Sequence, residues 1–159
     1  MKVSALTGND NYFEDFVPGE VIKHARGKTV SELENVLITN LVMNTAQGHF
    51  NEHIMAKTRF GKRITFGGCT ASLVIGLASQ DTSENALAEL GLDKIRFKVP
   101  VCHDDTLYAY TEVLATKESG REDAGEVHFK HWGVNQNDQV VFEGERRTLV
   151  KRRSHWGGK

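Results

Sequence analysis

The longest apolar run of the chain lies between Gly67 and Gln80, in the segment GGCTASLVIGLASQ. Its apolar side chains would point all round a helix of about four turns, which is typical of a helix enclosed by other structure. The run is too short to cross a bilayer. We therefore predict a buried helix, with the flanking segments forming the sheet that wraps it.

Four segments of the C-terminal half alternate apolar and polar residues, the pattern of a strand with one buried face. They begin near Ile95, Leu107, Val127 and Val140. Hairpin turns are predicted between the strands at 118–125 and 135–138, where Gly, Asp and Asn are frequent. Residues 83–90, closed by Gly91, are predicted as a further short helix.

The N-terminal half predicts one strand, at about 21–28, and one helix. Ser31 and Glu34 have the spacing of a capping box, which marks the start of this helix. The helix runs towards Val42 and ends near Asn44, because apolar residues recur at helical spacing. These residues are Leu33, Val36, Leu37 and Leu41.

Together these elements predict one α+β domain over residues 1–159, with an antiparallel sheet wrapped around the buried helix. Residues 1–11 and 153–159 are expected to be loose tails. A few strands rolled around one helix leave a sheet edge exposed, and a second copy of the chain can close it. A homodimer is therefore predicted, with higher oligomers left open.

Charge and composition limit the classes of partner that the protein is expected to bind. The 20 Lys and Arg nearly balance the 21 Asp and Glu, which argues against nucleic acid or an anionic membrane as the main partner. The N-terminus shows no targeting signal, so a cytoplasmic location is expected. Cys69 and Cys102 lack CxxC spacing and are expected to be reduced, buried thiols.

The segment between Asn44 and Phe66 is polar, broken by glycine and placed between two helical patterns. Long connections of this kind in a compact domain often carry function. His49 is the leading catalytic candidate there, although a histidine in a loop is more often a surface group. The helix start at Gly67 and Gly68 offers free N–H groups that can bind a developing negative charge.

Other chemistries find less support in the sequence. His49 and His53 have the spacing of a helical metal site, but no Glu follows the first His and no third ligand stands at a suitable distance. No metal and no cofactor are therefore predicted. The sequence also lacks a GxSxG elbow, a P-loop and a GxGxxG motif, which disfavours serine hydrolases and nucleotide-binding proteins.

Three pieces of the sequence resemble, in order and spacing, the MaoC-like dehydratases, the hot-dog proteins that include R-specific enoyl-CoA hydratases. The pieces are NTAQGHFNEH, KTRFGKRITFGGCTASL and IRFKVPVCHDDTLYAYTEV. The resemblance extends from about Tyr12 to Arg152. The family signature is Asp-x-Asn-Pro-x-His-x-Asp, followed by His-Gly at the start of the buried helix and later by a Gly-Asp-Thr-Leu turn.

The signature His corresponds to His49, and the glycine of His-Gly corresponds to Gly67. The turn corresponds to residues 104–107. The sequence departs from the signature at four places: Asn44 stands for the first Asp, Ala46-Gln47 for Asn-Pro, Asn51 for the last Asp and Phe66 for the His of His-Gly.

The resemblance implies a homodimer of hot-dog subunits, a thioester substrate (usually of CoA) and reversible addition of water across a 2,3 double bond. It implies that His49 is the acid/base and that Gly67 with Gly68 forms the oxyanion site. Asn44 cannot supply a carboxylate, but its amide can position a water molecule or the His49 ring. The proton transfers then fall mainly on His49.

Basic residues just before the central helix are candidates for contacts with CoA phosphates, although such runs are often a solvated face. They are Lys57, Arg59, Lys62 and Arg63. Ser72 is a candidate to hydrogen-bond substrate or Asn44, with helix packing as its other role. Two alternatives remain for the whole protein: a thioesterase, or a module that binds an acyl thioester of CoA or a carrier protein without hydrating it.

Overall fold

The computed structural model describes residues 1–4, 6 and 11–158. The rest of the segment predicted as an N-terminal tail, and Lys159, lie outside the described residues. The strands are β1 Lys2–Val3, β2 Val21–Thr29, β3 Ala86–Phe97, β4 Thr106–Glu118, β5 Ala124–Val134 and β6 Val140–Lys151. The helices are α1 Glu32–Leu41, α2 Gln47–Phe50, α3 Glu52–Met55, α4 Gly67–Thr82 and α5 Arg153–Trp156, and a 3₁₀ turn lies at Phe13–Asp15.

The described strands form one six-stranded sheet in the order β1-β2-β4-β5-β6-β3, and its pairs are antiparallel except β1 with β2. The predicted central helix is α4, which packs on β4 and β2. Val74 is fully buried there against Leu107 and Ala109 of β4. A sheet wrapped around one long helix is the hot-dog arrangement, so the predicted fold class is confirmed.

Part of α4 is left uncovered within the single chain. Ser72 and Gly76 are exposed, whereas Val74 and Ala78 are fully buried. The sheet therefore covers one side of the helix. The helix is apolar on all sides, so a single subunit does not bury all of its apolar surface. Among the described residues, no helix is both long and apolar enough to cross a membrane.

The predicted short helix at residues 83–90 is wrong. The chain enters β3 at Ala86, and this strand pairs with β6 from Ala86 opposite Val150 to Phe97 opposite Phe142. Residues 86–90 are Ala, Leu and Glu, which favour helices locally, but the long-range ladder overrides that preference. β3 forms one edge of the sheet.

Helix α1 has the predicted start but an unexpected orientation. The backbone N–H of Ser31 donates to the Glu34 carboxylate at 2.5 Å, as the capping box requires. Although burial opposes ionisation, hydrogen bonds from Lys28 and Ser31 lower the pKa of Glu34 to about 2. The apolar side chains that predicted the helix lie on its outer face, whereas Asn35 and Thr39 are buried.

The described parts of both expected tails are tied to the domain. At the N-terminus, β1 pairs in parallel with β2, and the Ser4 hydroxyl donates to Asp81 at 2.6 Å. At the C-terminus, the N–H of Arg153 donates to Glu14 at 3.0 Å. Both cysteines are free, and burial raises the pKa of the Cys69 and Cys102 thiols.

A row of buried polar side chains crosses the sheet near the C-terminal end of α4. His24 Nδ1 is 2.6 Å from Asp81, and His24 Nε2 is 2.7 Å from the Thr111 hydroxyl. The same hydroxyl is 2.7 Å from Nδ1 of His131. Burial, together with the charge of Arg146, lowers the pKa of His131 to about 3, so this imidazole is neutral in the folded protein.

Candidate active site

His49 lies in α2, the single helical turn that follows Ala46. Its Nδ1 atom is 2.9 Å from the carbonyl oxygen of Ile64. Because a carbonyl oxygen can only accept, Nδ1 carries the proton and Nε2 of the neutral ring keeps a lone pair. The ring is half-buried, with its centroid 5.7 Å from that of Phe66. An imidazole held in this way can accept a proton at Nε2.

The start of α4 presents two backbone N–H groups, those of Gly67 and Gly68. Neither donates to a protein acceptor within the part of the chain that the structure describes. A Cβ on Gly67 would lie 3.0 Å from the ring of Phe97, and one on Gly68 would lie 2.4 Å from the ring of Phe66. A side chain at either position would force an aromatic ring to move, so the close packing accounts for both glycines.

His49 and Gly67 line the same pocket, which has a volume of about 260 Å³. Its wall is largely apolar and includes Ile64, Phe97, Val99, Val101 and Val141. Lys98 also lines the pocket, but its ammonium group pairs with Glu143 at 2.8 Å. The arrangement can hold a ligand group between an imidazole and the free amide of Gly67, whereas Gly68 does not line the pocket.

Thr70, one helical turn into α4, adds a hydroxyl to this pocket. The side chain is buried, yet its hydroxyl makes no hydrogen bond within the described residues. Two other buried helical threonines donate to the carbonyl four residues earlier, Thr39 to Asn35 at 2.7 Å and Thr82 to Ala78 at 2.8 Å. The Thr70 hydroxyl is therefore available to a ligand. Nothing in the sequence distinguishes Thr70 from Thr39 and Thr82 in this respect.

The side chain of Asn35 connects the His49 segment with the start of α4. Its side-chain Nδ2 donates to the backbone carbonyl of His49 at 2.8 Å, and its Oδ1 accepts the backbone N–H of Phe66 at 2.9 Å. Asn35 was not among the candidates that the sequence suggested. The available signal was the spacing of Asn35 and Thr39, a polar i, i+4 pair on the face of α1 opposite the apolar stripe.

Asn44 lies at the turn that leads into α2. Its Oδ1 accepts the backbone N–H of Ala46 at 3.1 Å, and its own N–H donates to the carbonyl of Thr39 at 2.8 Å. The Asn44 side chain does not line the pocket of His49 and makes no hydrogen bond to that ring within the described structure. Its observed contacts shape the turn that precedes His49.

The four basic residues predicted to contact CoA phosphates, Lys57, Arg59, Lys62 and Arg63, do not line this pocket. Arg63 forms ion pairs with Glu32 at 2.9 Å and with Glu52 at 2.8 Å. Lys62 donates to the carbonyl of His103 at 2.9 Å. Lys57 and Arg59 are exposed, so these two are the more accessible to a ligand.

Two further candidates lie apart from the pocket. Ser72 is in a separate groove of about 410 Å³ that Arg26, Lys28 and Gly76 also line. His53 lies in α3 with its Nε2 atom 3.0 Å from Lys57 Nζ. The described part of the chain contains no group of three side chains placed to hold a metal ion.

Known proteins are similar to this one over most of its chain. A family model described as mesaconyl-CoA hydratase matches residues 19–152. A β-methylmalyl-CoA dehydratase of Chloroflexus aurantiacus is 38% identical over 122 residues, covering 76% of this chain and 34% of the relative. A mesaconyl-CoA hydratase of Haloarcula marismortui is 29% identical over 158 residues, covering 92% of this chain and 44% of the relative.

A solved structure described as a putative MaoC domain protein dehydratase from Chloroflexus aurantiacus superposes with a TM-score of 0.84 and 31% sequence identity. The match covers 92% of this chain and 46% of that chain. The present chain thus spans between a third and a half of the length of these relatives.

Proposed function

Because the chain belongs to the mesaconyl-CoA hydratase family, we propose that it catalyses the reversible addition of water to a 2-enoyl-CoA thioester. The family match also confirms the resemblance to MaoC-like dehydratases. One observation carries the proposal: His49, with Nε2 left free by the Ile64 carbonyl, lines the same pocket as Gly67.

The proposed reaction uses one base. His49 Nε2 removes a proton from a water molecule as the water oxygen bonds to carbon 3 of the enoyl group. The electrons of the double bond move towards the thioester, whose oxygen becomes an enolate oxygen. The imidazolium then returns the proton to carbon 2, and the thioester carbonyl re-forms. A single base that serves both carbons gives syn addition.

The free amides of Gly67 and Gly68 are the proposed site for the enolate oxygen, because donors aimed at developing charge stabilise the transition state. The N-terminal end of the 16-residue helix α4 adds a partial positive charge at the same place. An apolar wall strengthens both effects by keeping the local dielectric low. Asn44 as a positioner of water or ring stays a prediction.

The proposed substrate is mesaconyl-CoA, with β-methylmalyl-CoA as its hydration product. Relatives named for these two thioesters match most of this chain. The names support CoA rather than a carrier protein as the thiol. Lys57 and Arg59 remain the proposed contacts for CoA phosphates, since both are exposed. A cytoplasmic location stays a prediction.

A second hot-dog unit, in this proposal a second copy of the chain, pairs with the β3 edge. Leu90 and Leu92 on that strand are 47% and 46% exposed, which is unusual for leucine on a sheet of a self-sufficient domain. The matched relatives are long enough to hold a further unit of this size. A homodimer would supply that unit from a second chain.

The test follows the loss of enoyl absorbance with mesaconyl-CoA and crotonyl-CoA for wild type, His49→Ala and His53→Ala. His49→Ala should lower kcat by about 10² to 10⁴ because it removes the positioned base. His53→Ala is the matched control and should leave kcat unchanged. Equal rates for wild type and His49→Ala would remove His49 from the mechanism.

The same samples separate the other functions of the fold. Release of free thiol, detected with a thiol reagent while the double bond persists, would identify a thioesterase. Thermal stabilisation by the thioester, without thiol release or absorbance loss, would identify a binding module. Either result would overturn the hydratase proposal.

A further inference from the structure

We infer that Asn35 is a positioning residue, which holds the catalytic base at a fixed distance from the oxyanion site. The inference rests on the proposed function. Asn35 lies in α1 and does not line the pocket, so it touches neither the substrate nor the reacting atoms. Its effect must therefore pass through His49 and the start of α4.

The two hydrogen bonds of the Asn35 carboxamide end on the two halves of the site. Nδ2 donates at 2.8 Å to the carbonyl of His49, the residue that carries the base. Oδ1 accepts at 2.9 Å from the N–H of Phe66, the residue directly before the first oxyanion amide. One planar group thus joins the base to the helix start.

Few other contacts hold the His49 segment against the start of α4. Helix α2, which carries His49, has only four residues, and a single turn has little stability of its own. Its other contacts with the helix start are two hydrogen bonds with Ile64 and the ring contact between His49 and Phe66. The Ile64 carbonyl accepts from the His49 ring, and the Ile64 N–H donates to Gly48 at 3.0 Å. Without Asn35, α2 would lose its hydrogen-bonded link to Phe66, and the remaining contacts would hold it less firmly against α4.

Asn35 is only 6% exposed, so its amide is removed from competition with water. Removing the Asn35 amide leaves its two buried partners without a hydrogen bond, which lowers the stability of the fold. A purely structural role predicts this loss of stability and no further effect. A positioning role predicts a further loss in the chemical step, because a misplacement of about 1 Å can reduce the rate by about 10²-fold.

Thr39 supplies the matched control. It lies one turn after Asn35 on the same buried face of α1, and it is 1% exposed. Among the described residues, its hydroxyl donates only within its own helix, to the carbonyls of Asn35 at 2.7 Å and Val36 at 3.1 Å. Thr39→Val therefore removes a buried hydrogen bond from α1 without releasing either half of the site.

The experiment compares Asn35→Leu, Asn35→Asp and Thr39→Val for the thermal midpoint and for kcat and KM with mesaconyl-CoA. Asn35→Leu should lower kcat by about 10²-fold with KM nearly unchanged. The carboxylate of Asn35→Asp can still accept from Phe66 but cannot donate to His49, so it should lose kcat, and its burial against the His49 carbonyl should also lower the thermal midpoint. Thr39→Val should lower the midpoint and leave kcat unchanged.

A second measurement does not depend on turnover. Long-range ¹H–¹⁵N spectra should show His49 of the wild type as a single Nδ1–H tautomer when neutral, and a mixture of tautomers in the Asn35 variants. Wild-type kcat retained in Asn35→Asp, or an equal kcat loss in Thr39→Val, would overturn the positioning role. Should the wild type not hydrate enoyl-CoA, the spectra alone decide: an unchanged tautomer in both Asn35 variants overturns it.

Discussion

The aromatic ring of Phe97 covers Gly67 so closely that a Cβ on the glycine would lie 3.0 Å from it. This contact places the end of β3, the edge strand, against the first residue of α4. Phe97 is also 52% exposed and lines the pocket of His49. The pocket and the sheet edge are therefore neighbours, and what pairs with β3 would also lie close to the pocket mouth.

Gly67→Ala should lower kcat, because the new methyl group must displace the Phe97 ring from the wall of the pocket. Such overpacking typically destabilises by about 1–3 kcal/mol. Gly48→Ala is a control next to His49, since a Cβ there would meet only Ile64, at 3.9 Å. Enoyl absorbance and urea unfolding would measure both variants. An active, stable Gly67→Ala enzyme would contradict the tight fit.

The unbonded hydroxyl of Thr70 predicts a different kind of variant. Thr70→Val keeps the shape of the side chain and removes a group that can hold water or substrate in the pocket. It should reduce kcat/KM by a factor of about 10, the loss expected for one neutral hydrogen bond of about 1.4 kcal/mol. Thermal stability should change little, because no protein partner is lost.

Thr82→Val is the control for this prediction, since its hydroxyl bonds within the same helix, to Ala78 at 2.8 Å. Thr82→Val should reduce stability and leave kcat/KM intact. If both variants keep full kcat/KM, the Thr70 hydroxyl has no contact with the substrate or the reacting water.

The buried row that contains His131 predicts how stability depends on pH. The folded pKa of His131 is about 3, against 6.5 for an ordinary histidine, so the unfolded chain binds the extra proton first. Stability should therefore fall as pH falls below about 6.5, by about 1.4 kcal/mol per pH unit from this one residue. Carboxylates such as Glu34 add the same trend only below pH 4.5.

His131→Gln removes this titration and keeps a polar partner for Thr111. Urea midpoints between pH 6.5 and 4.5 should decline more steeply in the wild type than in the variant. Parallel declines would assign the pH dependence to other groups.

The sequence predicted the parts of this fold that local pattern controls. The apolar run of α4, the alternation along β4 and the capping box at Ser31 each depend on neighbours in the chain. The strand predicted near Ile95 is the second half of β3, but residues 86–90 were wrongly predicted to be helical. Their conformation comes from pairing with β6, about fifty residues later, against their local preference for helix. Long-range pairing of this kind leaves no local signal.

Some residues of the candidate site could likewise be predicted from the sequence, and others could not. His49 and Gly67 could be proposed from a polar connection, a helix start and a family resemblance. Asn35 and Thr70 could not, because their importance lies in which hydrogen bonds they make or leave unmade in three dimensions. Conversely, the run from Lys57 to Arg63 looked like a ligand site, yet Arg63 is engaged with Glu32 and Glu52.

The last prediction concerns the β3 edge. The double variant Leu90→Lys/Leu92→Lys places two charges on the strand, which should prevent a second copy from pairing there. Light scattering should give the wild type twice the 17.7 kDa mass of one chain, and the double variant the mass of a single chain. Because Phe97 lies on the same strand and lines the pocket, the double variant should also lose hydration activity.

Val17→Lys is the control, since Val17 is an apolar residue that is 59% exposed and lies outside every strand. It should keep both the dimer mass and the activity of the wild type. A double variant that remains a dimer would exclude β3 pairing and direct attention to the apolar outer face of α1, where Leu33 and Leu41 are exposed. A monomeric, fully active wild type would show that one chain completes the site alone.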